Sequence, residues 1–180
     1  MTTSRSSVYG PMVIAFVSFL LVACGGSATT AGTTGPATYK GATYSTALGD
    51  ATAKATGCVY TFSASGNISL DIAASGADGT ATGTMAIGVV LKSPSPIAGQ
   101  TCPQKSYTTN QSSNAVGGSY SNLSAQAGDA FNSWKFVGAQ SGNTLVGSLT
   151  INVTTYDLDG GGSYITLTPV VISGYVLAKQ

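Results

Sequence analysis

The 180 residues hold 7 Lys and Arg, 6 Asp and Glu and no His; only 7% are charged, the formal net charge is +1, and 43% are hydrophobic. So few cations, with Arg5 the only arginine, make a poor phosphate-binding surface, and no nucleic-acid partner is expected. The absence of His removes the usual general base, the Ser-His-Asp triad and most zinc sites, while the apolar share is too high for a disordered chain.

The chain opens with polar residues around Arg5 and then runs MVIAFVSFLLVA from Met12 to Ala23. That run suits a signal-peptide core and falls short of the ~18 apolar residues of a spanning helix. It ends in Leu21-Val22-Ala23-Cys24, followed by Gly25-Gly26-Ser27. This pattern resembles the lipobox of bacterial lipoproteins: an aliphatic residue, a small or aliphatic one, a small one, then cysteine. In that family the cysteine thiol is diacylglycerated and the chain is cut just before it. The resemblance therefore implies that residues 1–23 are a signal peptide and that Cys24 is lipidated. Arg5 stands alone where the family usually has two or three basic residues. A type I cleaved signal and an uncleaved anchor are the other readings. A lipid on Cys24 implies a cell-envelope protein whose partner is the membrane. Gly25 follows the cysteine where Asp signals inner-membrane retention, which implies the outer membrane in a Gram-negative cell.

Residues 24–180 carry six Lys and six Asp and no Arg, Glu or His, for a formal net charge of zero. Of the three cysteines, lipid on Cys24 leaves Cys58 and Cys102 as a pair, and an exported protein permits a disulfide between them. Two separate buried thiols are the alternative.

Residues 24–40 read as a flexible tether of small residues, and residues 41–180 as one β domain. The stretch 40–56 is ambiguous, with a short strand or a loop near Tyr44. From Cys58 the period is two: Tyr60 and Phe62 alternate with polar residues, Ser65-Gly66-Asn67 reads as a turn, and Ile68, Leu70 and Ile72 alternate again. Asp78-Gly79 is a hairpin signal. Ala81, Gly83, Met85, Ile87, Val89 and Leu91 then share one face of a long strand. Residues 92–115 break the pattern with three prolines, and the spacing predicts an irregular loop there. Strands resume around Val116–Leu123 and Ser133–Ala139. Ser141-Gly142-Asn143 reads as a second turn, and Leu145, Gly147, Leu149, Ile151 and Val153 form an inward face. Asp157–Gly162 turns the chain into one or two closing strands around Pro169. The two Ser-Gly-Asn turns in similar contexts fit a duplicated hairpin or an ordinary meander. About eight strands with hairpin spacing predict an antiparallel barrel or sandwich. The outline is similar to lipocalin-like and avidin-like barrels, without signature residues of either, so the likeness is one of architecture alone.

No catalytic constellation emerges, and no cofactor is expected. Asp157 and Asp159 before a glycine run are a weak Ca²⁺ candidate; hairpin-turn chemistry explains the same residues. Trp134 and Phe136 could line a pocket, but such aromatics are more often the core of a small β domain. The 92–115 loop is the candidate binding region, with Lys105, Tyr107, Asn110 and Gln111 as its polar recognition set. The sequence therefore favours a non-catalytic envelope lipoprotein that binds an envelope protein or small ligand or plays a structural part. An inhibitor of hydrolases, and a small enzyme using Asp with Lys or Tyr, are the competing readings.

Overall fold

Successive side chains of a strand point to opposite faces, so alternation along the chain builds a wall with one apolar side. A computed structural model of the chain describes residues 36–73, 78–154, 156–158, 162 and 164–180, which are all-β with no helix among them. The strands are β1 (Ala37–Gly41), β2 (Tyr44–Thr52), β3 (Val59–Ile72), β4 (Gly79–Ser93), β5 (Tyr107–Ser119) and β6 (Asn122–Gly128). They continue with β7 (Asn132–Ser141), β8 (Thr144–Val153), β9 (Tyr156–Asp157), β10 (Tyr164–Ile165) and β11 (Val170–Lys179). Nine of them form one antiparallel sheet in the order β1-β11-β8-β7-β6-β5-β4-β3-β2, and β1 also pairs with β3. That pairing closes the sheet, which decides between barrel and sandwich: an eight-stranded barrel, with β2 as an extra strand on β3.

β1 and β2 are successive halves of one run along β3, with Tyr39 opposite Leu70 and Thr46 opposite Ala64. Only β1 also pairs with β11, through Tyr39, Lys40 and Gly41. Beyond Gly41 the two part, and Tyr175 fills the opening. Its hydroxyl donates to the Ala42 carbonyl at 2.5 Å, and its ring meets Tyr44 edge-on at 6.5 Å.

An eight-stranded barrel has an interior just wide enough for side chains to fill. Trp134, Tyr39, Tyr60, Phe62, Phe136 and Met85 are among those that fill it, all fully buried. The inward faces read from β4 and β8 hold: Ala81, Met85, Ile87 and Val89, and Leu145, Leu149, Ile151 and Val153, are in the core, while Leu91 lies half exposed at the strand end. The outer rows of β3, β4 and β5 are polar, with Asn67, Thr84 and Asn110 side by side and Ser69, Thr82 and Ser112 next to them. The outer faces of β7, β8 and β11 are less polar, with Val137, Val146, Val171 and Val176 exposed.

Four expectations need correction. Ser65-Gly66-Asn67 is no turn: β3 runs through it unbroken, and Gly66 serves a close approach instead, since a Cβ there would fall 1.9 Å from the Thr84 carbonyl oxygen. Ser141-Gly142-Asn143 does turn, with Gly142 at φ 60°, so the two tripeptides are not copies of one hairpin. The irregular stretch is shorter than 92–115, because β4 continues to Ser93 and β5 starts at Tyr107. The inward positions of β5, Tyr107, Thr109, Gln111 and Ser113, are polar, which hides the alternation from a hydrophobicity reading. Finally, β1 begins at Ala37, inside the expected tether, because Tyr39 is a core residue. Residues 24–35 of that tether, with Cys24, and the signal segment lie outside the described residues.

The barrel has two distinct poles. At the first lie Pro36, Ala73 and Asp78 (joined by an Ala73 N–H to Asp78 carbonyl bond of 2.9 Å), the turn at Tyr120 and Ser121, the Gly142-Asn143 turn and the C-terminal Gln180. At the far pole lie residues 53–58, 94–106, 129–131, 154, 156–158, 162 and 164–169.

Candidate functional site

The far pole is built on Cys58, which leads into β3. A disulfide joins Cys58 to Cys102 with their Cα atoms 5.8 Å apart, a separation bridged without backbone movement. Before it, residues 53–58 fold into a tight turn, with Ala53 N–H on the Cys58 carbonyl (2.9 Å) and Gly57 N–H on the Ala53 carbonyl (2.7 Å). Gly57, at φ 74°, lets the ring of Pro96 close on the backbone. The Ser95 hydroxyl donates to the Thr56 carbonyl and accepts from the Ile97 N–H. Two further side chains of the 94–106 connection replace a missing strand beside β4: Gln104 Oε1 accepts from Leu91 N–H at 2.8 Å, and Ser106 Oγ accepts from Val89 N–H at 3.1 Å. The connection is therefore tied along its length as well as at Cys102.

β9 and β10 form a small hairpin that caps this pole from within. Tyr156, Leu158, Ile165 and Leu167 are all buried. The Tyr156 ring meets Phe62 edge-on at 5.5 Å and stacks on Tyr107 at 5.1 Å, and its hydroxyl donates to the Lys105 carbonyl.

The four residues expected to form one recognition set are dispersed. Lys105 is exposed in the connection, and its backbone oxygen holds Tyr156. Asn110 faces outward on β5, opposite Thr84. Tyr107 and Gln111 turn into the barrel. The Tyr107 hydroxyl accepts from Asn132 Nδ2 at 2.7 Å, and Gln111 Nε2 donates to the Asn132 carbonyl at 2.7 Å. Sequence reasoning missed Asn132 and Tyr156, the partners that draw Tyr107 and Gln111 inside. It also missed Ile97, Phe131 and Tyr164, large apolar side chains standing 43%, 56% and 57% exposed on three different connections of this pole. Of the Ca²⁺ candidates, Asp157 sits in β9 paired with Tyr164, and Asp159 lies outside the described residues. Among the described residues no three His, Cys, Asp or Glu side chains gather as a metal-binding group.

Compared with known protein families, curated proteins and solved structures, the chain shows no match. The chemistry of the far pole must therefore be read from its own residues. Its ion pair, Lys92 with Asp50, is exposed and adds little to stability; the bonds from Lys92 and Thr61 hold the Asp50 carboxyl below the usual carboxylate range.

Burial pushes the Tyr156 phenol up to about 12, with the Tyr107 and Asp157 charges adding to the effect. Burial likewise lifts Tyr175 to about 12. A raised folded pKa means that the folded state keeps a proton which the unfolded state loses first. The stability tied to these phenols is thus complete below pH ~10 and falls as pH rises from there through about 12. Alkaline unfolding followed by circular dichroism is expected to begin in that window and to coincide with tyrosinate absorbance. Replacing Tyr156 by Phe should shift its onset upward. Tyrosinate appearing in full at pH ~10 with the fold intact would contradict this assignment.

Proposed function

We propose that the chain is a lipid-anchored protein of the bacterial cell envelope, held through Cys24, whose role is non-catalytic binding or structural contact at the far pole. The observation that supports this reading is the barrel's polarity. The chain passes from residue 36 into β1 at one pole. The disulfide-stapled connection and the exposed Ile97, Phe131 and Tyr164 lie at the other. The segment that follows Cys24 enters the barrel at the Pro36 pole, opposite the far pole. Exposed aromatic and aliphatic anchors on ordered connections are what protein interfaces use for their hot spots. The filled interior also favours surface contact over ligand storage.

The anchor is tested by replacing Cys24 with Ala. Labelled fatty acid should then no longer enter the protein, and an uncleaved or soluble product should accumulate; continued labelling overturns the anchor. In a Gram-negative cell the wild type should fractionate with the outer membrane, and recovery solely from the inner membrane overturns the sorting. For the contact surface, a photo-reactive residue in place of Phe131 should cross-link to an envelope protein, and the same residue in place of Asn143 should not. Ile97→Ser should weaken the Phe131 cross-link. Equal cross-linking from both poles would refute the assignment of the far pole.

A further inference from the structure

The barrel's outer wall is uneven. Around β3, β4 and β5 its rows are Asn, Ser and Thr, but across β7, β8 and β11 the register sets Ala139, Val146 and Val176 side by side. Val137 lies in the next row of β7, and Val171 lies two rows from Val176 on β11. The four valines stand between 40% and 58% exposed. The outward positions between them are Ser, Thr and Ala, so among the described residues Lys135, at one corner, carries the only charge of this face. The inward rows of the same strands already supply the core, so the valines are surplus to the fold. A contiguous apolar face left in water marks a contact surface.

We infer that this wall is a contact face for a second copy of the chain, related to the first by a twofold axis along β8. A highly charged partner finds nothing to pair with here except Lys135, and its other charges would lose water without compensation. A second copy brings the same nearly uncharged face. Residues 24–180 carry six Lys and six Asp, so no net charge keeps two copies apart. The axis along β8 sets Val146 against its own counterpart and Ala139 against the counterpart of Val176. Lys135 then meets the counterpart of Val171, so the two lysines stay apart, and each reaches water from its corner. Three strands about 4.8 Å apart and four outward rows about 6.8 Å apart cover roughly 400 Å². Stable dimers bury about 800 Å² on each partner, so this contact is weak and reversible. The inference does not depend on the lipid at Cys24 or on the contacts of the far pole.

Cysteine cross-linking of the full chain, in the cells that express it and with a membrane-permeant thiol oxidant, tests the axis. Val146→Cys should give a disulfide-linked dimer on a non-reducing gel, about 10-fold above the background of Asn110→Cys. Asn110 faces outward on β5, and that variant keeps the same native cysteines. Ala139→Cys and Val176→Cys should each stay at background alone and cross-link when co-expressed, because the axis sets one against the other. Adding Val176→Lys to Val146→Cys puts a charge into the apolar row of both copies and should cut the dimer by about 10-fold. All these side chains lie on the outer wall, so the purified variants should keep the wild-type circular dichroism. If Val176→Lys alters that spectrum, Val137→Lys, one row away, carries the same expectation. A Val146→Cys dimer no stronger than that of Asn110→Cys overturns the inference. So does a dimer that the added lysine leaves unchanged, or Ala139→Cys cross-linking as strongly alone as with Val176→Cys.

Discussion

Replacing Cys58 and Cys102 together by Ser is expected to lower the free energy of unfolding by about 4 kcal/mol, the loop-entropy value for a bridge spanning 44 residues. The loss should be uneven in space. Cys58 is fully buried where β3 begins, and Cys102 packs against the same core from the 94–106 connection. Without the bridge, that connection keeps the Gln104 and Ser106 bonds to β4 and the Ser95 bonds around Thr56. These are side chain to backbone bonds near solvent, each worth about 1 kcal/mol or less. Hydrogen exchange should therefore rise first in residues 94–106 and 53–57, while β7 and β8, far from the bridge in the sheet order, stay protected until global unfolding. The contact proposed for Ile97 should weaken more than the fold does. Uniform loss of protection across all strands would mean that the bridge holds the whole barrel, and a stability unchanged after its removal would contradict the entropy argument.

The parts of the fold that could be read from residues alone are those where burial writes itself as hydrophobic alternation. β4 and β8 were legible for that reason: Met85, Ile87 and Val89, or Leu145, Leu149 and Ile151, alternate with Thr, Ser and Gly. β5 was not. Its inward residues Tyr107, Thr109, Gln111 and Ser113 carry hydroxyls and amides, and Tyr107 and Gln111 are held inside by Asn132 and Tyr156. Those partners come from β7 and β9, 21 or more residues away, and no local pattern announces them. The same cause dispersed the expected recognition set: two of its four residues are structural inside the barrel. The cysteine pair was legible by arithmetic, but the polarity of the barrel was not. Which connections share a pole follows from strand register, and register depends on pairings such as Tyr39 with both Leu70 and Lys179 that close the sheet across the whole chain.

The two Ser-Gly-Asn tripeptides allow the second large effect to be separated from ordinary glycine strain. Gly66→Ala is expected to destabilise the barrel by about 3 kcal/mol, and Gly142→Ala by only about 1 kcal/mol. At Gly142 the difficulty is conformational: φ is 60°, but no atom lies within 4 Å of where a Cβ would go. An L residue pays the left-handed penalty and nothing more, and Asn, which tolerates that region, should cost less still. At Gly66 the backbone is ordinary strand and the difficulty is space. A Cβ would sit 1.9 Å from the Thr84 carbonyl oxygen, 2.8 Å from its carbon and 2.8 Å from the Tyr44 hydroxyl. Two of these atoms are backbone of the neighbouring strand and cannot rotate away. Relief requires β3 and β4 to separate where Gly66 pairs with Met85, a core residue, and it disturbs the Tyr44 hydroxyl's bond to that same carbonyl (3.3 Å). Gly66→Asn should therefore be worse than Gly66→Ala, whereas Gly142→Asn should be milder than Gly142→Ala. Denaturant unfolding of the four variants measures this directly, and the same rank order at both positions would sink the explanation.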